Sequence, residues 1–309
     1  ERARKGKGPS LIISDVVRLL PHSSSDDQRK YRSKEELEAD RMRDPLLIFE
    51  EACIKKGIVK EKDFQLLKSQ IKKQVDEDAE WAEEQPDPNP KDMMKNIFCQ
   101  SNDDIRSNQS NKIGNSIVLV DAINHALDEE LEYNEKLIIY GQDVAGGKGG
   151  VFTATRDLTD KYGEDRVFNS PLAESSIIGT AIGMATLGYK PVVEIQFGDY
   201  IWYGMMQLRN EVATMSYRSN GSWTCPMVIR VPIGGYIHGA LCHSQCIDGY
   251  FTHLPGIYIA YPSNAADAKG LLKMACRMKD PVMFMEHKGL YRQGFAASPE
   301  PDENYILPF

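Results

Sequence analysis

The sequence predicts an α/β fold in which a parallel sheet is covered by helices on both faces, preceded by a mainly helical region. Over residues 116–309, short apolar runs alternate with helical patterns, an order typical of parallel sheets. The apolar runs are rich in Val and Ile, as at residues 192–197, so they fit strands buried on both faces. Residues 1–84 form the preceding region, and residues 85–115 are predicted to be a linker.

The preceding region is expected to open with a strand, followed by a loop and a helix. Residues 11–17 read Leu-Ile-Ile-Ser-Asp-Val-Val, an apolar run that favours a buried strand. Because such a strand needs neighbours, we expect that the chain was cut from a longer protein. Residues 21–33 are dense in Ser and Asp, which favour turns. Asp44 can cap a helix that has Pro45 in its first turn and ends at Gly57.

A second helix is predicted over residues 61–83, because apolar side chains recur there every three or four residues on an otherwise charged helix. The members of this stripe are Phe64, Leu67, Ile71 and Val75. The linker then contains a Pro-Asp-Pro-Asn-Pro stretch at residues 86–90, which cannot continue a helix. Residues 101–116 are rich in Ser, Asn and Asp without apolar periodicity, so they are predicted to be mobile.

The remaining elements follow one another from about residue 117. Predicted strands are residues 136–140, 192–197, 227–231, 257–261 and 282–285. Predicted helices are residues 117–131, 175–187, 199–217 and 264–279. In parallel sheets, binding sites lie where strands end and loops begin, which directs attention to the residues after each strand.

Composition excludes several classes of function. The net charge of -8 argues against nucleic acid as a partner, because phosphate binding needs clustered Lys and Arg. No apolar run is long enough for a membrane span, and no secretion signal is recognisable. The 6 Cys are scattered and predict free thiols in a reducing compartment, the cytoplasm. Cys242, His243 and Cys246 are close in sequence, but no second ligand cluster completes a zinc site, so we predict no metal site.

Four polar side chains follow predicted strands or lie in polar loops: Glu174, Tyr200, His243 and His22. Each also has an ordinary structural explanation. A Glu in a first helical turn is favoured by the helix dipole, and a Tyr at a strand end is usually packing. A lone His in a loop is usually a surface residue. Singly, none of them justifies a function.

Together with their neighbours, these residues resemble a known family. About half of the chain, in the right order, resembles the beta subunit of 2-oxo acid dehydrogenases, the decarboxylating component. The matching segments are Gly141-Gln142-Asp143-Val144, Gly150-Val151-Phe152, Lys161-Tyr162-Gly163, Arg166-Val167-Phe168-Asn169, Pro171-Leu172-Ala173-Glu174, Glu194-Ile195-Gln196-Phe197-Gly198-Asp199-Tyr200, Tyr217-Arg218-Ser219, His243-Ser244-Gln245, Pro255-Gly256 and Tyr291-Arg292. The resemblance implies a transketolase-like, thiamine-diphosphate-binding pyrimidine domain.

The first part of the chain is similar to the end of the alpha subunit of the same enzymes. Residues 22–27, His-Ser-Ser-Ser-Asp-Asp, followed by Tyr-Arg-Ser at residues 31–33, resemble the regulated loop of the branched-chain members. The Pro-rich residues 86–90 are similar to the alpha-subunit tail of that branch. The resemblance therefore implies a fused chain in which an alpha-type tail precedes a beta-type domain.

The resemblance implies a catalytic role for Glu174. In family members, a Glu in this position shares a proton with a ring nitrogen of the aminopyrimidine of thiamine diphosphate, which helps to activate the cofactor. Such chemistry favours a carboxyl group in a largely apolar pocket, where a protonated form is favoured. Leu172 and the Ile177-Ile178 pair are expected to supply the apolar walls.

The other site residues are carried over from the same motifs. Tyr200 is expected to stack on the pyrimidine ring, and Gln196 is expected to lie at the cofactor. His243 is expected to face the substrate, and His22 to assist acyl transfer to a lipoyl arm. The carbon chemistry itself belongs to the cofactor.

The sequence also departs from the family pattern. Pro21 precedes His22, where animal branched-chain enzymes have a second His. The Gly-Asp-Gly motif that holds magnesium and the diphosphate does not occur, so we expect magnesium to be held by an alpha portion absent from this chain. We likewise expect the carboxy-terminal domain of the beta subunit to be missing from this chain. We therefore expect the isolated chain to be inactive and to bind thiamine diphosphate weakly.

The leading hypothesis is oxidative decarboxylation of branched-chain 2-oxo acids, such as 3-methyl-2-oxobutanoate, with acyl transfer to a lipoyl-bearing acyltransferase. The Asp26-Asp27 pair favours this substrate class. The same chemistry on pyruvate or acetoin is one alternative, and a non-catalytic assembly domain is another. A homodimer or larger self-assembly is expected, without nucleic acid or membrane partners.

Overall fold

The structure, a computed structural model, describes residues 1–99, 108–109 and 113–309. Contacts divide the chain into two units, Glu1–Pro88 and Asn89–Phe309. The division falls inside the Pro-rich stretch of the predicted linker, where a helix cannot continue. The two units are described separately below.

The first unit contains three helices: α1 (Lys34–Arg41), α2 (Pro45–Lys55) and α3 (Glu61–Glu83). The predicted bounds of α3 are confirmed. The predicted start of α2 is also confirmed, because the Asp44 carboxylate accepts a hydrogen bond from the Leu46 N–H at 2.9 Å. Helix α1 was not predicted, although a Ser and a Glu three residues apart form a capping box at its start.

The predicted strand at residues 11–17 is wrong. This stretch has no regular secondary structure, and four of its five large apolar side chains are 79–88% exposed: Leu11, Ile12, Ile13 and Val16. The fifth, Val17, is half-buried. A strand requires a neighbour to pair its backbone groups, and no residue of the first unit forms a strand. The α3 stripe is also partly open, since Leu67, Ile71 and Val75 are 48–58% exposed.

The second unit is built on a parallel six-stranded sheet, which confirms the predicted fold class. Its strands are β2 (Leu137–Gly141), β3 (Val167–Asn169), β4 (Lys190–Glu194), β5 (Val228–Ile233), β6 (Tyr258–Ala260) and β7 (Val282–His287). They lie in the order β3-β2-β4-β5-β7-β6. A separate antiparallel pair joins β1 (Ile113–Ile117) to β8 (Ser298–Pro301). Strands β1, β3 and β8 were not predicted, because they are short or lack an apolar run.

Helices cover both faces of this sheet. They are α4 (Leu119–Tyr133), α5 (Leu158–Tyr162), α6 (Glu174–Thr186), α7 (Met205–Gln207), α8 (Met215–Arg218), α9 (Asp248–Phe251) and α10 (Ala265–Arg277). Successive strand residues enter opposite cores: Val192 packs in the cluster with α4 and α10, whereas Val193 packs in the cluster with α6. Within the described ranges, no helix is long and apolar enough to cross a membrane.

The continuous helix predicted at residues 199–217 is wrong in detail. A 3₁₀ turn at Gly198–Gly204 leads into α7, a π-turn at Leu208–Val212 and then α8. Gly204 packs closely against α6, where a Cβ would lie 3.0 Å from the Ile178 side chain. The segment therefore follows α6 in short turns, and irregular turns of this kind are frequent at functional sites.

Part of the predicted linker belongs to the second unit. The Phe98 ring lies 4.6 Å from that of Tyr258, and the Cys99 N–H donates to the Asp280 carboxylate at 2.9 Å. Residues 113–116 of the stretch predicted to be mobile lie in β1. The remainder of that stretch, apart from residues 108–109, lies outside the described residues.

A buried charge network ties the centre of the sheet together. The Arg230 guanidinium donates to Glu194 on β4 at 2.7 Å and to both carboxylate oxygens of Glu286 on β7 at 2.7 and 2.9 Å. The Tyr291 hydroxyl donates to the same Glu286 carboxylate. Burial raises the pKa of Glu194 despite the opposing charge of Arg230. Because all four groups are buried, each charge depends on the others for compensation.

Replacing this guanidinium should destabilise the second unit strongly. We expect Arg230→Met to lower the free energy of unfolding by about 3–5 kcal/mol, because two carboxylates would stay buried without their cation. Urea unfolding at pH 7 measures the change. The matched control is Arg218→Met, since the Arg218–Glu211 pair is half exposed and should contribute less than about 1 kcal/mol. Equal losses in both variants would contradict the assignment.

Candidate active site

An open pocket of about 590 Å³ lies at the carboxyl edge of the sheet. Its walls follow the ends of β2, β3 and β4, the location where parallel sheets place their sites. The lining residues are Gln142, Leu172, Ala173, Glu174, Ser175, Gln196, Tyr200 and Tyr203. The volume is in the range of ordinary small-molecule sites.

Glu174 is the first residue of α6 and is only 6% exposed. The helix N-terminus favours a negative charge at this position. The Gln142 side chain reaches it from the end of β2, and its Nε2 donates to Glu174 Oε1 at 3.4 Å. The carboxyl group is therefore held inside the protein while it still lines the pocket.

Gln196 is held by a different carboxylate. Its Nε2 donates to Asp143 Oδ2 at 3.1 Å. Asp143 has a φ of +58°, an unusual backbone conformation for a residue other than glycine. A hydrogen bond from Lys148 lowers the pKa of Asp143, so this carboxylate stays charged and accepts from Gln196 at neutral pH. The amide of Gln196 is thereby fixed at the pocket wall.

Tyr200 and His243 form a hydrogen-bonded pair beside the pocket, with 2.8 Å between Tyr200 Oη and His243 Nε2. The other ring nitrogen, Nδ1, lies 3.4 Å from the Gly239 carbonyl oxygen, which can only accept. Partial burial raises the pKa of the Tyr200 phenol, which keeps its proton at neutral pH. These contacts are consistent with an imidazole that donates through Nδ1 and accepts from the phenol through Nε2.

The pair is supported by an aromatic side chain from the same segment as Tyr200. The Phe197 ring meets His243 edge-on at a centroid distance of 4.6 Å and Tyr200 at 5.6 Å. Such T-shaped contacts are a favoured arrangement of aromatic rings. Phe197 therefore contacts both members of the pair.

The structure brings four of the predicted site residues into one pocket: Leu172, Glu174, Gln196 and Tyr200. His243 joins them through its hydrogen bond to Tyr200. Leu172 lines the pocket but is 80% exposed, so it forms an open rim.

The expectation that Ile177 and Ile178 form walls of the pocket is wrong. Both side chains are fully buried in the core cluster between α6 and the sheet. They lie three and four residues after Glu174, on the same face of α6 but one turn further along the helix, where that face packs against the sheet.

His22 belongs to the first unit. It is exposed there, and its backbone N–H donates to the Asp26 carboxylate at 3.0 Å. That carboxylate also accepts a hydrogen bond from the Tyr31 hydroxyl, which lowers the pKa of Asp26. The predicted loop is therefore organised around Asp26, a member of the Ser- and Asp-rich motif.

Sequence reasoning missed Gln142 and Tyr203 as parts of the site. Gln142 comes directly after β2, so its position at a strand end was a usable signal. Tyr203 carried no such signal, because it lies in the turn that was predicted as a regular helix. Among the residues that the structure describes, no group of three or more His, Cys, Asp or Glu side chains is placed to hold a metal ion.

Two family models match the chain. The model for the transketolase pyrimidine binding domain matches residues 115–293, and that for the dehydrogenase E1 component matches residues 1–91. Their order confirms the prediction of an alpha-type tail followed by a beta-type domain.

Named relatives are similar to more than half of the chain. The chain is 48% identical over 189 residues to a 2-oxoisovalerate dehydrogenase subunit beta from Bacillus subtilis, covering 61% of this chain and 57% of the relative. It is 46% identical to the protein of the same name from Pseudomonas aeruginosa, over 58% of this chain and 51% of the relative. A pyruvate dehydrogenase E1 component subunit beta from Acholeplasma laidlawii is 45% identical, over 62% of this chain and 58% of the relative. The chain thus spans somewhat more than half the length of these curated relatives.

The contact between Gln142 and Glu174 predicts an energetic coupling. We expect Gln142→Met to lower the free energy of unfolding by about 1–3 kcal/mol, because Glu174 loses its buried donor. Adding Glu174→Met should remove most of that loss, since no unpaired carboxylate then remains. A double-mutant cycle in urea unfolding measures the coupling.

Gln196→Met provides the matched control for this cycle. The Gln196 amide lines the same pocket but donates to Asp143, so its substitution should show no coupling to Glu174→Met. A cycle in which both amides couple to Glu174 equally would show that the contact carries no specific energy.

Proposed function

We propose that this chain, which belongs to the transketolase pyrimidine-binding domain family, forms the pyrimidine-binding part of a thiamine-diphosphate site in a branched-chain 2-oxo acid dehydrogenase. The observation that carries the proposal is the position of Glu174. Its carboxyl group is nearly buried, is oriented by Gln142 and lines a pocket of about 590 Å³.

The donor set of the pocket fits an aminopyrimidine ring. Such a ring presents polar edges and flat aromatic faces. Glu174 offers a carboxyl group for a ring nitrogen, and Gln196 offers an amide for a polar edge. Tyr200 and Tyr203 offer aromatic surface for a face of the ring. The pocket therefore combines the two kinds of contact that this group requires.

When bound, thiamine diphosphate supplies the nucleophile for attack on a 2-oxo carbon and accepts electrons during decarboxylation. The chain's own task is to bind, orient and exchange protons. Glu174 shares a proton with a pyrimidine nitrogen, and Gln142 fixes the orientation of that carboxyl group. His243 exchanges a proton on the substrate side, and its hydrogen bond to Tyr200 fixes the imidazole.

The names of the relatives support branched-chain substrates. Two of them act, by name, on 2-oxoisovalerate, and one of these has 48% identity to this chain. Pyruvate is the second candidate, since pyruvate dehydrogenase beta subunits are 44% and 45% identical. The Ser- and Asp-rich loop that begins at His22 also supports the branched-chain class.

The assembled protein is proposed to work with further parts. These are a lipoyl-bearing acyltransferase that receives the acyl group from a site including His22, a second copy of the chain, and a magnesium-diphosphate site in an alpha portion outside residues 1–309. The free thiols of Cys53, Cys225, Cys242, Cys246 and Cys276 support a reducing compartment, which we take to be the cytoplasm.

Substituting the proposed proton-sharing group should abolish catalysis without unfolding the protein. We expect Glu174→Gln in the complete enzyme to lower turnover of 3-methyl-2-oxobutanoate by about 10²–10⁴-fold, the usual contribution of a positioned acid or base. It should also slow exchange of the thiazolium proton of added thiamine diphosphate in D₂O, followed by proton NMR.

Glu164→Gln is the matched control, because Glu164 is exposed and does not line the pocket. Full turnover and unchanged proton exchange in the Glu174→Gln enzyme would refute the proposed function and would favour a non-catalytic assembly domain.

Substrate class is tested by direct comparison. We expect the complete enzyme to have a higher kcat/KM for 3-methyl-2-oxobutanoate than for pyruvate, measured with an artificial electron acceptor under identical conditions. A preference for pyruvate would retain the thiamine-dependent mechanism but replace the proposed substrate.

A further inference from the structure

Lys288 is a buried cation that follows directly after β7. It is 1% exposed, and its Nζ has no hydrogen-bond partner among the residues that the structure describes. Burial lowers the pKa of Lys288 to about 8, against the opposing charge of the Asp199 carboxylate. The ammonium therefore remains mostly protonated at pH 7. A buried charge without a hydrogen bond is costly, so its presence calls for a compensating interaction.

One compensating interaction comes from an aromatic ring. Lys288 Nζ lies 5.5 Å from the centroid of Phe197, within the range of a cation–π contact. The same ring makes edge contacts with Tyr200 and His243. Phe197 therefore contacts both the buried cation and the hydrogen-bonded pair beside the pocket.

A second interaction comes from Asp199. Its Oδ1 is also buried without a hydrogen-bond partner in the described part of the chain, and its charge acts on Lys288. Its Oδ2 accepts from the Gln245 N–H at 3.3 Å, and the Gln245 side chain accepts from Trp202 Nε1 at 3.3 Å. Asp199 thus joins the turn that carries Tyr200 to the loop of Gln245.

We propose that Lys288 is a positioning residue for the Tyr200–His243 pair, acting through the Phe197 ring and the Asp199 carboxylate. Both partners lie in the turn that leads from β4 to Tyr200, so a fixed cation at the end of β7, two strands away in the sheet, holds that turn in place. The catalytic consequence rests on the proposed function, whereas the positioning can be measured without turnover.

Lys190 provides a matched comparison within the same unit. It is also buried, and burial lowers its pKa to about 8 as well. Its Nζ, however, donates to the Met278 carbonyl oxygen at 2.8 Å, and it does not line the pocket. A general effect of removing a buried lysine should appear in both variants, whereas the positioning effect should appear only at Lys288.

Trp202 reports on the position of the turn. The other two tryptophans of residues 1–309 are replaced in the full-length protein by Trp81→Phe and Trp223→Phe. Trp202 is then the one tryptophan left within residues 1–309. In this background, we expect Lys288→Met to shift Trp202 emission to the red and to speed quenching by acrylamide at pH 7. Lys288→Arg, which keeps the cation, should restore the original spectrum, and Lys190→Met should leave it unchanged.

In the complete enzyme, Lys288→Met should lower kcat by about tenfold to a hundredfold through misplacement of the pair. An unchanged Trp202 spectrum in Lys288→Met, or equal changes in the Met and Arg variants, would overturn the proposal. If Lys288→Met does not fold, Asp199→Asn replaces it. A red shift in that variant supports the proposal, and an unchanged spectrum overturns it.

The two proposals fail in different ways. A spectral change in Lys288→Met, with no turnover of any 2-oxo acid even by the unsubstituted enzyme, would support the positioning role and refute the proposed function. Normal turnover by the unsubstituted enzyme, with neither a spectral nor a kinetic change in Lys288→Met, would refute only the positioning role.

Discussion

One buried guanidinium links three central strands of the sheet whose carboxyl edge carries the pocket. Arg230 pairs with Glu194 and Glu286, so it links the adjacent strands β4, β5 and β7 near their carboxyl ends. Glu194 in turn packs against the backbone of β2. A Cβ added to Gly141 of β2 would lie only 2.5 Å from the Glu194 carbonyl oxygen. Because the charges compensate one another only in this arrangement, the spacing of the strand ends is fixed, and the loops that follow start from fixed positions.

The site is assembled from the residues that come after these strand ends. Gln142 follows β2, Glu174 opens the helix after β3, and Tyr200 lies in the turn after β4. His243 comes from the loop after β5, and Lys288 follows β7. Each of these five strands is followed by at least one site side chain that the sheet alone cannot orient. Orientation comes from contacts between the loops, chiefly the amide on Glu174 and the phenol on His243.

Buried charged groups around this pocket are compensated in two different ways. In the sheet, the guanidinium and two carboxylates satisfy one another through short hydrogen bonds. Beneath the aromatic cluster, Lys288 and Asp199 each bury an atom without a hydrogen bond to the described residues. The first arrangement gives rigidity, because removing any member leaves an uncompensated charge. The second depends on longer-range attraction and on the Phe197 ring, so it responds more readily to a change in its surroundings.

Local sequence determined the parts of this protein that depend on neighbouring residues. The cap at Asp44, the bounds of α3 and the alternation of apolar strands with helices were predictable, because periodicity and capping act within a few residues. Motif resemblance also predicted Glu174 and Tyr200 as site residues, and both line the pocket. Tertiary structure decided the rest. Residues 11–17 have the composition of a strand but no neighbour to pair with, and Lys288 faces Phe197 across more than ninety positions of sequence. Such contacts depend on how strands are ordered in space, which no local pattern encodes.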